Sequence, residues 1–300
     1  MPEFNTSIEP VLGTRVVLRI GAPDETIALH AERVALAEFA RLEAMLSAYR
    51  ADSVWCRWRL EADEATPELV DLLQLVQWWH HRSGGAYNPQ AGVLRERWLR
   101  ADDEQRVPSR DEVATLAAPF QALPFEIDNR TVQHLADCSH LDLHGLAKGW
   151  IVDRAAAAAM AVPGGESLVV NAGGDLLRCG AGDMVVRVED PRDAFDNSPP
   201  MVRATLRVGG CATSSPTRRP FHIGDTAFHH VIDPRTGWPV SCRSATVIAP
   251  DAADADAAAT VAAVLDTSTA LQFVDEMVGF SACLLPEEGD VVFSSRWPAA

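Results

Sequence analysis

The pattern of apolar residues in the first part of the chain predicts a strand followed by two helices. Residues 13–20 are rich in Val, Leu and Ile and predict a strand. Over residues 24–48 apolar side chains recur at helical spacing, which predicts a long amphipathic helix. A second helix is expected from Thr66 to Ser83, because Pro67 suits a first helical turn and two glycines follow the last turn.

The rest of the chain mixes strands and helices without the regular alternation of a doubly wound fold. The pattern predicts, in order, a loop with a short helix (86–100), a capped helix (109–118), a hairpin (125–135), a helix (145–160), a buried strand (167–171), short strands to 208, a strand (245–248), two helices (253–265 and 267–278) and a closing hairpin (280–294). This order predicts an α+β fold. We expect mixed or antiparallel sheets flanked by helices, in a single two-lobed domain over residues 1–300.

Composition and charge narrow the class of function. The chain has 300 residues, of which 47% are hydrophobic and 23% charged, which is typical of a globular protein with one large domain or two. Its formal net charge of −16 provides no field that attracts nucleic acid, so we expect no nucleic-acid partner. An anionic ligand would need a local source of positive charge, such as a metal ion, a helix N-terminus or a lone lysine.

The cysteines and the N-terminal residues indicate the cellular compartment in which the protein is expected. The six cysteines are scattered without a CxxC pair, which argues against a disulfide framework and a structural zinc site. The first residues lack the basic and apolar segments of a leader, and no apolar run approaches the ~18–20 residues that span a bilayer. We expect no transmembrane segment, and a cytoplasmic protein as the sequence is written or a periplasmic one if a leader was removed.

The stretch from His229 to Val240 concentrates polar chemistry in a turn. Val231 and Ile232 indicate the end of a buried strand, and the Asp-Pro-Arg-Thr-Gly sequence that follows indicates a rigid turn. A rigid turn with several polar groups after a strand is a common position for a functional site. Taken alone, this stretch is equally well interpreted as a plain turn beside a buried histidine whose hydrogen bonds are made within the protein.

Asp256 and Thr260 are candidates for a metal site. A helix is expected after Pro250, and a spacing of four residues places both oxygens on one helical face. A carboxylate and a hydroxyl that face a pocket suit Mg²⁺, which takes oxygen ligands and completes its shell with water or phosphate. The alternative is a helix whose early acids complement its dipole, and the spacing alone favours that alternative.

Two junctions contain glycines where a ligand could approach the backbone. From Asp142 to Gly149 a strand end meets a helix start at Gly145, and Lys148, one turn in, could reach a phosphate. This segment is also typical of an ordinary strand–helix junction. Residues 171–175 form a turn with two glycines, for which tight packing and ligand contact are equally good interpretations.

The two tyrosines of the chain both lie beside helix ends. Tyr87 and Asn88 follow the end of the second predicted helix, where an aromatic ring could lie on a planar ligand and an amide could hydrogen-bond to it. Tyr49 follows the first long helix, just before a polar turn.

Taken in order, eight segments resemble those of the FAD:protein FMN transferase family, also called the ApbE family. They extend over nearly the whole chain, and together they are far more specific than any one alone. The segments are 12–14 (LGT), 46–53 (LSAYRADS), 83–92 (SGGAYNPQAG), 141–153 (LDLHGLAKGWIVD), 171–175 (NAGGD), 212–215 (ATSS), 229–240 (HHVIDPRTGWPV) and 247–260 (VIAPDAADADAAAT).

The resemblance implies a reaction and a set of residues. Members of this family use Mg²⁺ to cleave the FAD pyrophosphate, pass the FMN moiety to a Thr or Ser hydroxyl of a target flavoprotein and release AMP. It implies a metal site made by the main-chain carbonyl of Gly145 with Asp256 and Thr260, and a base or orienting residue at His230. It implies FAD contacts from Leu12, Tyr49, Ala86, Tyr87, Asn88, Asp142, Lys148 and Ile232.

The chain departs from the family pattern at four positions within the eight segments. His144 stands where the family usually has Gly or Ser, Asn88 where it has Asp, and Ser215 where it has Gly, while Ala259 replaces a further metal acid of some members. Two other functions therefore stay open beside transfer. One is a Mg²⁺-dependent FAD pyrophosphatase that uses water as acceptor, and the other is a protein that binds FAD without turnover.

Overall fold

A large antiparallel sheet forms the centre of the structure, a computed structural model that describes residues 2–193, 198–215 and 220–300. Every neighbouring pair of its strands is antiparallel, and helices pack against it, which confirms the predicted α+β class. The division of the chain into domains stays a prediction. In spatial order the strands are β1 (Glu3–Val11), β2 (Thr14–Gly21), β5 (Ser167–Ala172), β6 (Asp175–Gly180), β9 (Gly209–Ser214), β14 (Ser244–Ala249), β15 (Ser281–Leu285) and β16 (Val292–Phe293).

Helices and short two-stranded ladders make up the remaining regular structure of the described residues. The helices are α1 (Glu25–Leu46), α2 (Val54–Glu61), α3 (Pro67–Arg82), α4 (Ala91–Glu104), α5 (Arg110–Ala117), α6 (Ala147–Met160), α7 (Ala252–Val264) and α8 (Thr267–Asp275), with a 3₁₀ turn at Ala118–Gln121. The ladders pair β3 (Phe125–Asp128) with β4 (Thr131–His134), β7 (Met184–Val188) with β8 (Val202–Leu206), β10 (Phe221–Ile223) with β11 (Thr226–Phe228), and β12 (Ile232–Asp233) with β13 (Trp238–Pro239).

Side-chain caps fix the starts of three of the predicted helices, α1, α3 and α5. Asp24 accepts a hydrogen bond from the Ile27 amide at 3.0 Å and begins α1. Thr66 caps α3, with Pro67 in its first turn as expected. Ser109 caps α5 in the same way. Each cap satisfies an amide that has no partner inside its own helix.

The structure corrects the prediction in four places. Strand β1 and helix α2 were absent from the expected elements, and α4 is a full helix over Ala91–Glu104 rather than a short one within 86–100. Helix α6 begins at Ala147, two residues after the predicted start at Gly145, because Gly145 has a φ of +79° and lies in a turn.

Helices α6 and α7 approach each other unusually closely at Gly149. A methyl group at this position would overlap the carbonyl oxygen of Ala252 and lie 2.7 Å from the Cα of Ala253. The facing helix consists mostly of alanine, and ten of its thirteen residues are buried. Small side chains on both helices therefore allow the two backbones to meet.

Asp153 of α6 holds the start of α7 in place. Its carboxylate accepts hydrogen bonds from the amides of Ala252 at 2.8 Å and Ala253 at 2.9 Å. Asp251, the residue directly before α7, caps the same helix with its own side chain. The Ala252 and Ala253 amides are two of the first-turn amides that a helix leaves without internal partners. Asp153 thus couples the position of α7 to that of α6.

We expect Asp153 to make stability depend on pH. Burial raises the pKa of Asp153 from 3.8 to about 7, and nearby Asp251 and Asp254 add to the rise while the two amides oppose it. The folded state therefore keeps a proton that the unfolded state releases, so this stabilisation is present at acid pH and is lost as the pH rises through about 7. Urea unfolding between pH 5 and 8 should show wild type losing stability relative to Asp153→Asn, and a gain relative to that variant would contradict the assignment.

A second apolar cluster lies away from the main sheet. Trp98 of α4 stacks with Phe221 of β10, and Ile232 of β12 is buried in the same cluster. The indole N–H of Trp98 donates to the carbonyl oxygen of Gly237 at 2.9 Å, so this cluster fixes the turn between β12 and β13. Within the described ranges, no helix is long and apolar enough to cross a membrane.

Candidate active site

The three residues predicted to hold a metal come together where α6 and α7 meet. Asp256 and Thr260 lie one turn apart on α7. A methyl group at Gly145 would lie 2.7 Å from the hydroxyl oxygen of Thr260, so the glycine backbone lies directly against that side chain. The positive φ of Gly145 and this close approach together explain why a glycine stands here.

A partly buried group of charged residues adjoins this contact. The ammonium of Lys148 lies 2.5 Å from Oδ2 of Asp175, the first residue of β6. Asp175 in turn shares a hydrogen bond with the carboxyl of Asp256, which also accepts the Gly149 amide. Oδ2 of Asp256 is buried and has no hydrogen-bond partner among the described residues.

The pKa values of Lys148, Asp175 and Asp256 depend on burial and on the charges of one another. Burial raises the pKa of both Asp175 and Asp256, and the charge of Asp175 raises the pKa of Asp256 further. Burial lowers the pKa of Lys148, but the two acids outweigh it and raise that pKa above its ordinary value. Two carboxyls that compete for one lysine form an environment that added positive charge would stabilise.

Asp142 and His144 form a pair at the turn before α6. The amide of His144 donates to Oδ1 of Asp142 at 2.8 Å, and the imidazole Nδ1 makes a short hydrogen bond to Oδ2. The hydrogen bond to Asp142 raises the pKa of His144. Burial raises the pKa of Asp142, but the interactions with His144 outweigh burial, and the pKa of Asp142 lies below its ordinary value. Gly92 packs against the Asp142 side chain, so the start of α4 borders the same turn.

Tyr87 connects these groups from the turn after α3. It is 2% exposed, and its hydroxyl has no hydrogen-bond partner among the described residues. Burial raises the pKa of Tyr87 well above its usual range, and the charges of Asp256 and Asp142 add to this effect. The ring therefore lies close to both acids, next to the buried Ala86.

Asn88 uses its side chain inside the protein. Its Nδ2 donates to the carbonyl oxygen of Phe120 at 2.7 Å, and its Oδ1 accepts the Gln90 amide at 2.9 Å. The amide fixes the loop that joins Tyr87 to α4. The predicted contact of Asn88 with FAD therefore stays a prediction, with a structural role established beside it.

The remaining predicted FAD contacts lie on turns. Leu12 has a φ of +53° in the β1–β2 turn, where its amide donates to Glu43 at 3.0 Å. Thr14 of that turn packs against Gly173, which places the turn beside the glycine turn before Asp175. Tyr49 follows α1 and is 97% exposed.

The His229–Val240 turn is held by internal hydrogen bonds and leaves His230 partly exposed. Asp233 accepts the Arg235 amide and pairs with its guanidinium at 2.9 Å, and it also accepts the Gly237 amide through its carbonyl. Ile232 faces the second apolar cluster. His230 is half-buried and lies two residues before the start of β12.

Comparisons with known proteins identify the family of the chain. The sequence profile described as the ApbE family matches residues 12–284. The chain belongs to the ApbE family. It is 29% identical to the FAD:protein FMN transferase of Treponema pallidum, over 92% of this chain and 83% of that protein. It is 35% identical to that of Rhodobacter capsulatus, over 66% of this chain and 38% of that protein.

Solved structures of ApbE proteins share the fold. The ApbE protein of Thermotoga maritima superposes with a TM-score of 0.84 and 25% identity, covering 98% of this chain and 97% of that one. A histidine-to-glycine variant of the Vibrio cholerae flavin transferase ApbE gives 0.77 at 21% identity, with 98% of each chain covered. The predicted family and sheet architecture are thereby confirmed.

Sequence reasoning missed the part that Asp175 has in this ApbE site. The turn at 171–175 was interpreted only as tight packing or ligand contact, and its acid was not selected. A signal was present, since an acid follows two glycines directly after a buried strand. Its partners Lys148 and Asp256 are distant in the sequence, so only the fold shows that they meet.

Gly145→Ala should destabilise the protein more than Gly224→Ala. Both glycines have positive φ values, +79° and +59°, so each alanine costs about 1–2 kcal/mol of backbone strain. The methyl group at Gly145 also overlaps Thr260, whereas nothing lies within 4 Å at Gly224. Urea unfolding should show about 1 kcal/mol or more of extra loss for Gly145→Ala. Equal losses for the two variants would contradict the close contact with Thr260.

Proposed function

We propose that this ApbE-family chain is an FAD:protein FMN transferase, which transfers the FMN moiety of FAD to a Thr or Ser hydroxyl of a target flavoprotein and releases AMP in a Mg²⁺-dependent reaction. The names of its curated relatives and its membership of the family support the transferase activity. The observation that carries the proposal is the meeting of Gly145, Asp256 and Thr260 beside the half-buried Lys148.

The residues present fit a magnesium ion. The proposed ligands are the Asp256 carboxylate, the Thr260 hydroxyl and the main-chain carbonyl of Gly145, all of them the kind of oxygen that Mg²⁺ prefers. Oδ2 of Asp256 is buried without a hydrogen bond, as expected of an atom that takes a ligand from outside the chain. Over the described ranges, no cluster of three or more His, Cys, Asp and Glu side chains provides a complete cage. The proposed ion would therefore need oxygens from water and from the FAD phosphates.

Lys148 and the metal contribute the positive charge that FAD binding requires. The chain carries a net charge of −16, and an FAD pyrophosphate brings further negative charge into the site. When bound, Mg²⁺ would neutralise charge on the pyrophosphate and so favour loss of AMP. Lys148 is the second residue of α6, and its ammonium, which pairs with Asp175, would contact a phosphate of the bound FAD.

His230 is the proposed base for the acceptor hydroxyl. In this step the hydroxyl oxygen attacks the phosphorus atom of the FMN half, and the bond to the bridging oxygen breaks. AMP leaves with that oxygen, and the hydroxyl proton passes to His230. A histidine suits this role because its ordinary pKa lies near neutrality. The rigid β12–β13 turn holds its backbone in place, which limits the reorganisation needed before reaction.

Incubation of FAD and Mg²⁺ with the protein, with and without an acceptor peptide containing a Thr-Gly-Ala-Thr core, tests the proposal. Transfer predicts a peptide whose mass increases by one FMN moiety, together with AMP. Free FMN and AMP without acceptor would instead identify a pyrophosphatase. FAD that stays intact under both conditions would identify a binding protein and contradict the proposal.

Thr260→Val should weaken the binding of Mg²⁺ at the proposed site. Valine keeps the shape of threonine but removes the oxygen that faces Gly145. The Mg²⁺ concentration for half-maximal FMN transfer should rise about tenfold or more. FAD binding measured by fluorescence without metal should change little, because the hydroxyl acts through the ion.

Thr246→Val is the matched control. This buried threonine on β14 shares a 2.9 Å hydrogen bond with Thr213, away from the α6–α7 contact. It should leave the Mg²⁺ requirement unchanged. If both variants shift the requirement equally, Thr260 is not a metal ligand.

A further inference from the structure

The side chain of His144 has no part in the metal site or in the reaction proposed above. It directly precedes Gly145, whose carbonyl is a proposed metal ligand, and it follows Asp142, a predicted FAD contact, by two residues. The side chain of His144 is 86% exposed, whereas that of Asp142 is 30% exposed. An exposed ring removes little apolar surface from water, so core packing does not explain this histidine.

His144 holds both oxygens of the Asp142 carboxylate. Its amide donates to Oδ1 at 2.8 Å, and its imidazole Nδ1 makes a short hydrogen bond to Oδ2. The first bond needs only the backbone, so any residue except proline could make it. The second bond depends on the imidazole, and no other side chain of the described residues donates to Asp142. Loss of the imidazole would therefore release Oδ2 while Oδ1 stays held.

The main chain around Asp142 is fixed by other residues. The Asp142 amide donates to the carbonyl oxygen of Pro89 at 2.7 Å. Nη1 of Arg59 donates to the carbonyl oxygen of Leu141 at 3.1 Å. Gly92 lies against the side chain, since a methyl group there would be 3.3 Å from Cβ of Asp142. The freedom that remains to the carboxylate is rotation of its own side chain, and the imidazole restricts that rotation.

We propose that His144 is a positioning residue, which orients the Asp142 carboxylate to accept a hydrogen bond from FAD. The inference deepens the transferase function proposed above and rests on it. An ionised carboxylate only accepts hydrogen bonds, and each of its oxygens has two lone pairs. His144 takes one lone pair of each oxygen, so the others stay available to a hydroxyl or an N–H group of FAD. Because the carboxylate is oriented before FAD arrives, binding costs less conformational freedom.

Two variants of similar size separate the hydrogen bond from the ring. An asparagine places its amide Nδ2 where the imidazole has Nδ1, so His144→Asn keeps the donor, whereas His144→Leu has none. FAD binding, measured by flavin fluorescence without metal, should weaken about fivefold in His144→Leu and stay near wild type in His144→Asn. Equal FAD affinities of the two variants would overturn the proposal.

The Asp142→Ala background tests whether His144 acts through Asp142. Without the carboxylate the imidazole has nothing to orient, so His144→Leu should cause no further loss of FAD affinity in this background. If His144→Leu still weakens FAD binding by the full factor, the imidazole contacts FAD itself and the positioning role is wrong.

The Mg²⁺ requirement at saturating FAD separates positioning from a distorted turn. A shift of the backbone at His144 would also move the Gly145 carbonyl and raise the Mg²⁺ concentration for half-maximal FMN transfer. The amide bond to Asp142 remains in both variants, so this concentration and kcat should stay near wild type, with KM for FAD alone affected. A rise in the Mg²⁺ requirement that parallels the loss of FAD affinity would assign His144 only a structural role.

His140→Leu is the matched control. His140 is an exposed histidine of the same loop whose Nε2 lies 3.7 Å from the carboxylate of Asp137, and neither residue is assigned to the FAD or metal site. This variant should keep the wild-type FAD affinity, and a loss equal to that of His144→Leu would contradict the proposal. FAD binding that depends on His144 without any FMN transfer would contradict the transferase function alone. FMN transfer with an FAD affinity independent of His144 would contradict the positioning role alone.

Discussion

The site depends on how closely α7 packs against α6. Gly149 allows the backbone of α6 to touch Ala252 and Ala253, and the Asp153 carboxylate holds the amides of both residues. A larger side chain at this crossing would push α7 outward. Asp256 and Thr260 would move with the helix, away from the turn at Gly145. A contact between two small-residue faces therefore sets the position of Asp256 and Thr260 relative to Gly145, which is more than a hundred residues away in the sequence.

The second constraint is the burial of charge. Asp175 and Asp256 are two neighbouring carboxyls with one lysine, and burial raises the pKa of both acids. Burial of unbalanced charge is costly unless a further cation or a proton compensates it. In the proposed function a magnesium ion supplies that compensation and also joins the acidic protein to an anionic nucleotide. The same feature that costs stability in the protein alone would then favour binding of the metal.

Local sequence patterns predicted most elements because their signals are local. The cap at Asp24 and the apolar spacing of α1 lie within one segment. Strand β1 was missed because its half-buried positions include the polar Thr6, which bonds to the distant Glu32. Helix α2 was missed because it is short and its cap, Ser53, follows a polar turn. The resemblance of the motifs selected Gly145, Asp256 and Thr260, and the structure brings these residues together, whereas the contacts of Asp175 depend on strand order and cannot be predicted from sequence spacing.

A crystal structure of the protein with FAD and Mn²⁺ in place of Mg²⁺ tests the central claim most directly, because the anomalous signal locates the ion. The account predicts one anomalous peak within roughly 2.0–2.3 Å of the Asp256 carboxylate, the Thr260 hydroxyl and the Gly145 carbonyl, with FAD phosphate oxygens completing the shell. A peak elsewhere in the protein, or FAD bound at full occupancy with no metal at the α6–α7 contact, would contradict it.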